Sequence, residues 1–396
     1  MAAPISARRV TIAATGLLLA AALPQYMVGA VAVSVRDDFP FTDAQLGLAV
    51  GLSFGIAAVV TPSAGRLIER IGVLSGVRIS VAVIATSTLA IATVVDTAAA
   101  LIVCMALVGL GGGLGSPGYS ALLAAGVPPE RQGTAFGVLT SAPQIAIFLS
   151  GLALPLIADP FGWRAAFVIP VAVSLASLYA LPSARQLAKR ARVDSRGVVS
   201  LRRMGPVHVI ALSAALASAA GIGMRSFLVV FAVAVGISSG DAGLLLATSG
   251  AVALASRLGF GVLGDRRPGD PLRTAGALMI VSAVGFGLMA IGANAAIVAG
   301  TLLAGGLGWG WAAPMGHAVI QRYPDAPAAA MGTQISGFFV GAVIGPLLVG
   351  ILVGSGGFTE AWLLCTAFAL FAALAAFAAT RMTRPDAPAA SPLSQA

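Results

Sequence analysis

Hydrophobic residues run along the chain in twelve long stretches, separated by short polar segments. The stretches lie near residues 11–34, 44–63, 75–95, 98–125, 133–157, 164–182, 207–235, 241–262, 272–292, 295–320, 328–354 and 359–380. Each has roughly the 20 residues that an α-helix needs to cross the ~30 Å hydrocarbon core of a bilayer. Because backbone groups in lipid must be hydrogen-bonded within their own segment, the pattern predicts an all-α membrane protein with twelve transmembrane helices.

The second half of the chain repeats features of the first half. Gly109-Leu-Gly-Gly-Gly-Leu-Gly-Ser-Pro117 aligns with Gly306-Leu-Gly-Trp-Gly-Trp-Ala-Ala-Pro314 at an offset of 197, and shorter matches recur at 195 and 198. Repetition at half the chain length predicts two parallel six-helix repeats with a transport path between them. The predicted parts are an N-terminal bundle (1–182), a basic linker (183–205), a C-terminal bundle (206–380) and a disordered tail (381–396).

Composition and charge support this reading and set the orientation. The chain is 58% hydrophobic and only 9% charged, whereas a soluble domain has roughly 25% charged residues. The net charge of +9 comes mainly from arginines in alternate loops. Twenty of the 23 basic residues, Arg257 among them, fall on one side of the predicted topology, against Arg36 and Arg164 on the other. The positive-inside rule then predicts that both termini are cytoplasmic, and the charge indicates a lipid bilayer rather than nucleic acid as partner.

Two related motifs follow the second and eighth predicted helices. The first reads Gly65-Arg-Leu-Ile-Glu69-Arg70-Ile-Gly72, and the second reads Gly261-Val-Leu-Gly-Asp265-Arg266. They resemble the loop signature of the major facilitator superfamily, which in that family steadies one face of the alternating-access cycle. Pro129-Glu-Arg131-Gln-Gly133 is similar to a phrase of its bacterial members. The resemblance implies gating roles for Gly65, Glu69, Arg70, Gly72, Arg131, Gly261, Asp265 and Arg266.

The resemblance also implies a class of activity. It predicts a single-component secondary transporter in the bacterial cytoplasmic membrane, monomeric and not an enzyme, that moves a small-molecule substrate. The only lysine, Lys189, has no glycine-rich phosphate loop around it, which argues against ATP as the energy source. Cys104 and Cys365 lack metal-ligand spacing, and we expect no cofactor.

The positions of the charged residues suggest the kind of substrate. All fourteen acidic residues can be assigned to loops, helix ends or tails, whereas Arg225 lies ~16 Å deep in the seventh predicted helix. Pro24-Gln25-Tyr26-Met27 maps onto Ile222-Gly223-Met224-Arg225 at offset 198, and such interrupted stretches indicate a central site. The predicted substrate-binding residues are Arg225, Gln25, Tyr26, Gln144, Trp309, Trp311 and Gln334.

Several functions stay open at this point. An organic anion is the favoured substrate, moved by proton symport, uniport or exchange, since no buried acid offers itself as a proton carrier. The first alternative is a proton-coupled exporter of neutral drugs or metabolites, in which Arg225 is structural. The second is a membrane sensor that binds a ligand without carrying it.

Overall fold

Long helices account for nearly all of the fold. A computed structural model describes residues 6–181, 205–266, 269–324 and 326–382. Within those ranges, twelve helices are long and apolar enough to cross a membrane. This confirms the predicted fold class. The predicted linker (183–205, apart from Gly205) and the tail beyond Met382 lie outside the described residues.

We number the spans α1 to α12. Their bounds are α1 Ala7–Ala30, α2 Asp43–Ile71, α3 Val73–Thr93, α4 Ala98–Gly126, α5 Glu130–Phe161, α6 Trp163–Ala180, α7 Gly205–Ala234, α8 Ser239–Arg266, α9 Pro271–Ile291, α10 Asn294–Arg322, α11 Pro327–Ser355 and α12 Phe358–Met382. A short helix, Ala32–Asp38, follows α1. We call the face where α1 begins and α12 ends the inner face, and the opposite face the outer face.

Local sequence sets several helix ends. Thr42 forms a capping box with Gln45 at the start of α2, and Thr97 and Asp270 cap α4 and α9 through their side chains. Each cap supplies an acceptor to backbone N–H groups that the first helical turn leaves unpaired. These polar starts explain why the spans begin where the apolar runs predict.

The second helix extends beyond its predicted end. The apolar pattern ends near residue 63, but α2 continues to Ile71, and α8 likewise runs to Arg266 rather than 262. The two signature motifs therefore lie on helix ends instead of in loops. The predicted spans stopped just before the charged residues of the two motifs, but a helix can continue past the hydrocarbon region where water solvates its side chains.

Only the last residue of the first motif makes the turn into α3. Gly72 has φ +85° and ψ 149°, a backbone region that is nearly exclusive to glycine. We expect Gly72→Ala to cost about 1–3 kcal/mol and to lower the melting temperature of the purified protein. Gly65→Ala is the matched control, because Gly65 is helical with open space around its Cβ position. That change should be neutral or slightly stabilising; equal melting temperatures for both variants would contradict the assigned turn.

The helices pair in the same way in both halves. The packed pairs α1–α5, α2–α4, α3–α4 and α3–α6 recur as α7–α11, α8–α10, α9–α10 and α9–α12. This pairing matches the two parallel six-helix repeats that the sequence offset predicts. The two halves then contact each other mainly through α2 with α11 and through α5 with α8.

The halves pack closely near the outer face, whereas three glycines near the inner face have no described neighbour. A Cβ added at Gly47 or Gly151 would come within 3.0 Å of backbone atoms of the other half. At the inner ends of the same helices, no described atom lies within 4 Å of a Cβ at Gly65, Gly137 or Gly259. The halves therefore close the outer side and diverge toward the inner side.

Candidate functional site

A cavity lies between the two halves where they begin to diverge. It encloses about 850 Å³ including its open mouth, within the size range of small-molecule sites. Seven helices line it: α1, α2, α4 and α5 from the first half and α8, α10 and α11 from the second. The lining residues are Leu18, Ala21, Ala22, Gln25, Tyr26, Phe54, Ala57, Thr61, Gly112, Ser116, Pro143, Gln144, Arg257, Trp309, Ala312, Phe338 and Phe339.

The lining combines aromatic rings with few polar groups. Five of the described lining side chains are aromatic, and among these described residues the only ionisable group besides the Tyr26 phenol is the guanidinium of Arg257. Gln25 donates a hydrogen bond to Ser53 Oγ (3.0 Å), which orients its amide. A mostly apolar cavity with a small number of placed polar groups is the usual form of a binding site for a small organic molecule.

Arg257 was not among the predicted site residues. The topology count placed it with the inner-face arginines, but α8 extends nine residues beyond it, and its side chain lines the cavity. Among the described residues, it makes no hydrogen bond and no ion pair. Its position inside the predicted span 241–262 was the available signal. A cation in a membrane span costs about 2.5–3.5 kcal/mol, so an unpaired one at a cavity points to a ligand.

The structure brings several predicted binding residues together. Gln25, Tyr26, Gln144 and Trp309 all line the cavity. Trp311 is fully buried behind it, and Gln334 is buried with its amide toward the Met315 sulfur (3.9 Å). Neither of these two is part of the lining.

Arg225 occupies the layer directly behind the cavity wall. It is 1% exposed, and its guanidinium carbon lies 4.0 Å from the centroid of the Trp309 ring. Nη1 donates to the Gly221 carbonyl (3.0 Å) and Nη2 to the Gly305 carbonyl (2.6 Å), whereas Nε has no partner in the described part of the chain. In this conformation the cation is neutralised by carbonyl dipoles and an aromatic face. Its binding of substrate therefore stays a prediction.

The Gly305 carbonyl, which accepts from Arg225, belongs to an irregular turn of α10. The helix begins at Asn294, widens into a π turn at Leu302–Leu307, tightens into a 3₁₀ turn at Gly308–Trp311 and resumes to Arg322. π turns inside α-helices are frequent at functional sites. The irregularity places Trp309 on the cavity side and Trp311 behind it.

The predicted gating residues lie at the inner face. Glu69, Arg70 and Arg131 are exposed, and Glu69 and Arg70 make no ion pair with any other described residue. Gly65 and Gly261 are helical, and the side chains of Asp265 and Arg266 lie outside the described part of the structure. Their gating role stays a prediction.

The outer face is held by charged contacts within the first half. The Trp163 indole donates to Asp38 Oδ2 (2.9 Å), and Arg164 also donates to this carboxylate. Together these hydrogen bonds hold the pKa of the Asp38 carboxyl below its usual range. Arg36 pairs with Asp43 (2.6 Å) at the start of α2. These contacts join the short helix Ala32–Asp38 to the outer-face ends of α2 and α6.

Comparison with known proteins gives one family and one fold. The sequence profile of the Major Facilitator Superfamily matches residues 14–333. No curated protein sequence matches the chain significantly. The family match therefore rests on the sequence profile over residues 14–333 rather than on a close relative.

Two solved structures have the same fold. Both are of a bacterial homolog of the human lysosomal transporter Spinster. The inward-facing, occupied form has a TM-score of 0.76 at 17% identity, over 98% of this chain and 100% of the other. The inward-facing, unoccupied form has a TM-score of 0.73 at 17% identity, over 95% and 97%.

Proposed function

The chain belongs to the Major Facilitator Superfamily, and from that premise we propose that it carries a small, partly apolar organic anion, whose acidic group binds Arg257. The family makes it a multi-pass membrane transporter that works by alternating access, not an enzyme. The anionic nature of the substrate and its binding to Arg257 are what we propose. The bacterial cytoplasmic membrane, with the inner face toward the cytoplasm, is the proposed location.

The unpaired Arg257 carries this proposal. Charged groups interact strongly where little water screens them, so a lone guanidinium in an apolar cavity attracts an anion and disfavours a cation. A guanidinium can also hold a carboxylate through two parallel hydrogen bonds. Gln25, Tyr26 and Gln144 line the same cavity and are proposed to bond to the remaining polar atoms of the solute.

The distribution of acids also supports an anion over a cation. The acidic residues in the described ranges lie near helix ends or in the connections between helices, and none lines the cavity. A transporter of cations would be expected to place a carboxylate beside the solute. The coupling ion is left open, because neither symport with a proton nor exchange of two anions needs an acid in the cavity.

The proposal predicts that Arg257→Gln loses anion binding. Melting temperatures of the purified protein would be measured with a panel of organic acids and their neutral amides. Acids should stabilise the wild type, and Arg257→Gln should bind them at least about 10-fold more weakly, because a charge-assisted pair is lost. Arg257→Lys should keep part of the effect. Arg273→Gln, at an exposed arginine on the inner face, controls for net charge.

Two outcomes would replace this function by another. Equal stabilisation of wild type and Arg257→Gln by neutral compounds would favour the exporter of neutral solutes. Binding of acids without flux into liposomes would favour the sensor. Loss of acid binding in Arg225→Ala, with Arg257→Gln unaffected, would indicate that Arg225 rather than Arg257 binds the anion.

A further inference from the structure

The indole of Trp309 is held in one orientation. Its ring lies 4.0 Å below the Arg225 guanidinium carbon, and it makes edge contacts with Trp311 (centroids 5.8 Å apart, 80°) and Phe338 (6.4 Å, 61°). Gly221 leaves no gap behind the ring, because a Cβ there would come within 3.0 Å of three indole atoms. The side chain is 5% exposed, and this small surface is part of the cavity wall.

Arg225 ties that orientation to the backbone of two helices. It donates to Gly221 on α7 and to Gly305 in the π turn of α10, the irregular segment that leads to Trp309. A buried cation in a membrane span is costly, and here its contacts fix an aromatic ring and the turn that carries it. The ring therefore cannot adapt to the solute by rotating.

The position in the first half that corresponds to Trp309 carries no ring. Gly112 stands at the position that the offset of 197 relates to Trp309, and it also lines the cavity. A Cβ at Gly112 would meet only the Ala21 methyl, at 3.6 Å, so the space in front of it is open. The cavity wall therefore includes a small, fixed part of the Trp309 ring, with free room at the matching position of the other repeat.

We propose that the transported anion is an aromatic carboxylate, whose planar ring contacts the exposed part of the Trp309 ring while its carboxylate binds Arg257. The inference rests on the proposed anion function and narrows it to one substrate class. A preoriented ring favours a flat, rigid partner, because neither the indole nor the ring of the solute loses rotational freedom on contact. Contacts between aromatic rings add to the gain from burial alone, equivalent to about 2–10-fold in affinity.

Three matched probes test the inference by calorimetry on the purified protein: 3-phenylpropanoate, 3-cyclohexylpropanoate and 3-phenylpropanamide. The first two differ in the ring and share the carboxylate, whereas the first and third share the ring. Wild type should bind the phenyl acid about 2–10-fold more tightly than the cyclohexyl acid. In Trp309→Leu this ratio should fall to about one, while both acids should still bind more tightly than the amide. Trp309→Phe, which keeps a ring, should retain part of the ratio.

The same probes separate failure of this inference from failure of the anion function. Equal binding of both acids by wild type, with no binding of the amide, overturns the aromatic preference and leaves the anion. Binding of the amide as tight as that of the phenyl acid overturns both. Failure of phenylacetate, 3-phenylpropanoate and indole-3-acetate to bind at all also overturns the inference.

Discussion

Gly151→Val should abolish transport while leaving the protein folded. Gly151 lies near the outer end of α5, and a Cβ there would come within 3.0 Å of the backbone at Gly243 and Ala247 on α8. Backbone atoms of a helix cannot move aside as a flexible side chain can, so valine prevents the two halves from closing the outer side. Because alternating access needs this closed arrangement in each cycle, we expect uptake or efflux to fall at least about 100-fold.

Cysteine accessibility measures the trapped conformation directly. In a background with Cys104→Ser and Cys365→Ser, Ala57→Cys places one thiol in the cavity wall. With the inner face toward the cytoplasm, a membrane-impermeant maleimide should label this thiol in whole cells only slowly. Adding Gly151→Val should raise the labelling severalfold, since the population shifts to the state that is open on the outer side.

A second contact between the halves and a glycine without a described neighbour provide the controls. Gly47→Val should behave as Gly151→Val does, because its Cβ would meet the Pro346 carbonyl on α11. Gly287→Val on α9 introduces the same side chain where no described atom lies within 4 Å, and it should keep transport. Wild-type transport by Gly151→Val would show that α5 and α8 do not close at this point.

The spans could be predicted from sequence because lipid makes apolar length the dominant signal. All twelve helices appear where the runs predict them, and the errors fall at ends such as Ile71, where a helix continues into water. The break in α10 was not predictable in the same way. Its glycine-rich segment aligns with that of α4, which stays α-helical. The hydrogen bond that Arg225 donates to Gly305 in the π turn is a tertiary contact that spacing along the chain does not predict.

The position of the candidate site was predictable from sequence. Which residues line the cavity and which lie behind them was not. Matching the repeats predicted a central position for Gln25 and Tyr26, and both line the cavity, while their binding of substrate stays a prediction. Arg225, predicted to lie deep in its span, is buried. Sequence spacing could not tell that Trp309 stands between Arg225 and the cavity, because this depends on the side-chain direction at an irregular turn. It also could not tell on which face of α8 Arg257 lies. Both facts decide which arginine faces the cavity.

Gly341→Val should prevent the protein from folding. Gly337, Gly341 and Gly345 lie at intervals of four on one face of α11, and each faces a backbone carbonyl of α7, at Ala211, Ala215 and Ala219. A Cβ at any of the three would come within 3.0 Å of that carbonyl. Small residues at this spacing allow two membrane helices to approach until their backbones touch. Valine would force this closely packed helix pair apart.

The expected measure is the yield of monodisperse protein and its melting temperature. Overpacking against side chains costs about 1–3 kcal/mol, and a clash with a rigid backbone should exceed that range, enough to unfold a marginally stable protein. Gly354→Val, on the same helix with no described atom within 4 Å of its Cβ position, should purify like the wild type. A normal melting temperature for Gly341→Val would contradict the assigned α7–α11 packing.

The contrast with Gly151→Val follows from where each glycine lies. Gly151 faces the other half, and the halves can separate there because alternating access includes a state with the outer side open. Gly341 faces a helix of its own half, which moves as one body and has no second arrangement that could accept the larger side chain. The first variant should therefore keep a melting temperature near that of the wild type and lose transport. The second should lose both, and similar melting temperatures for the two variants would argue against rigid halves.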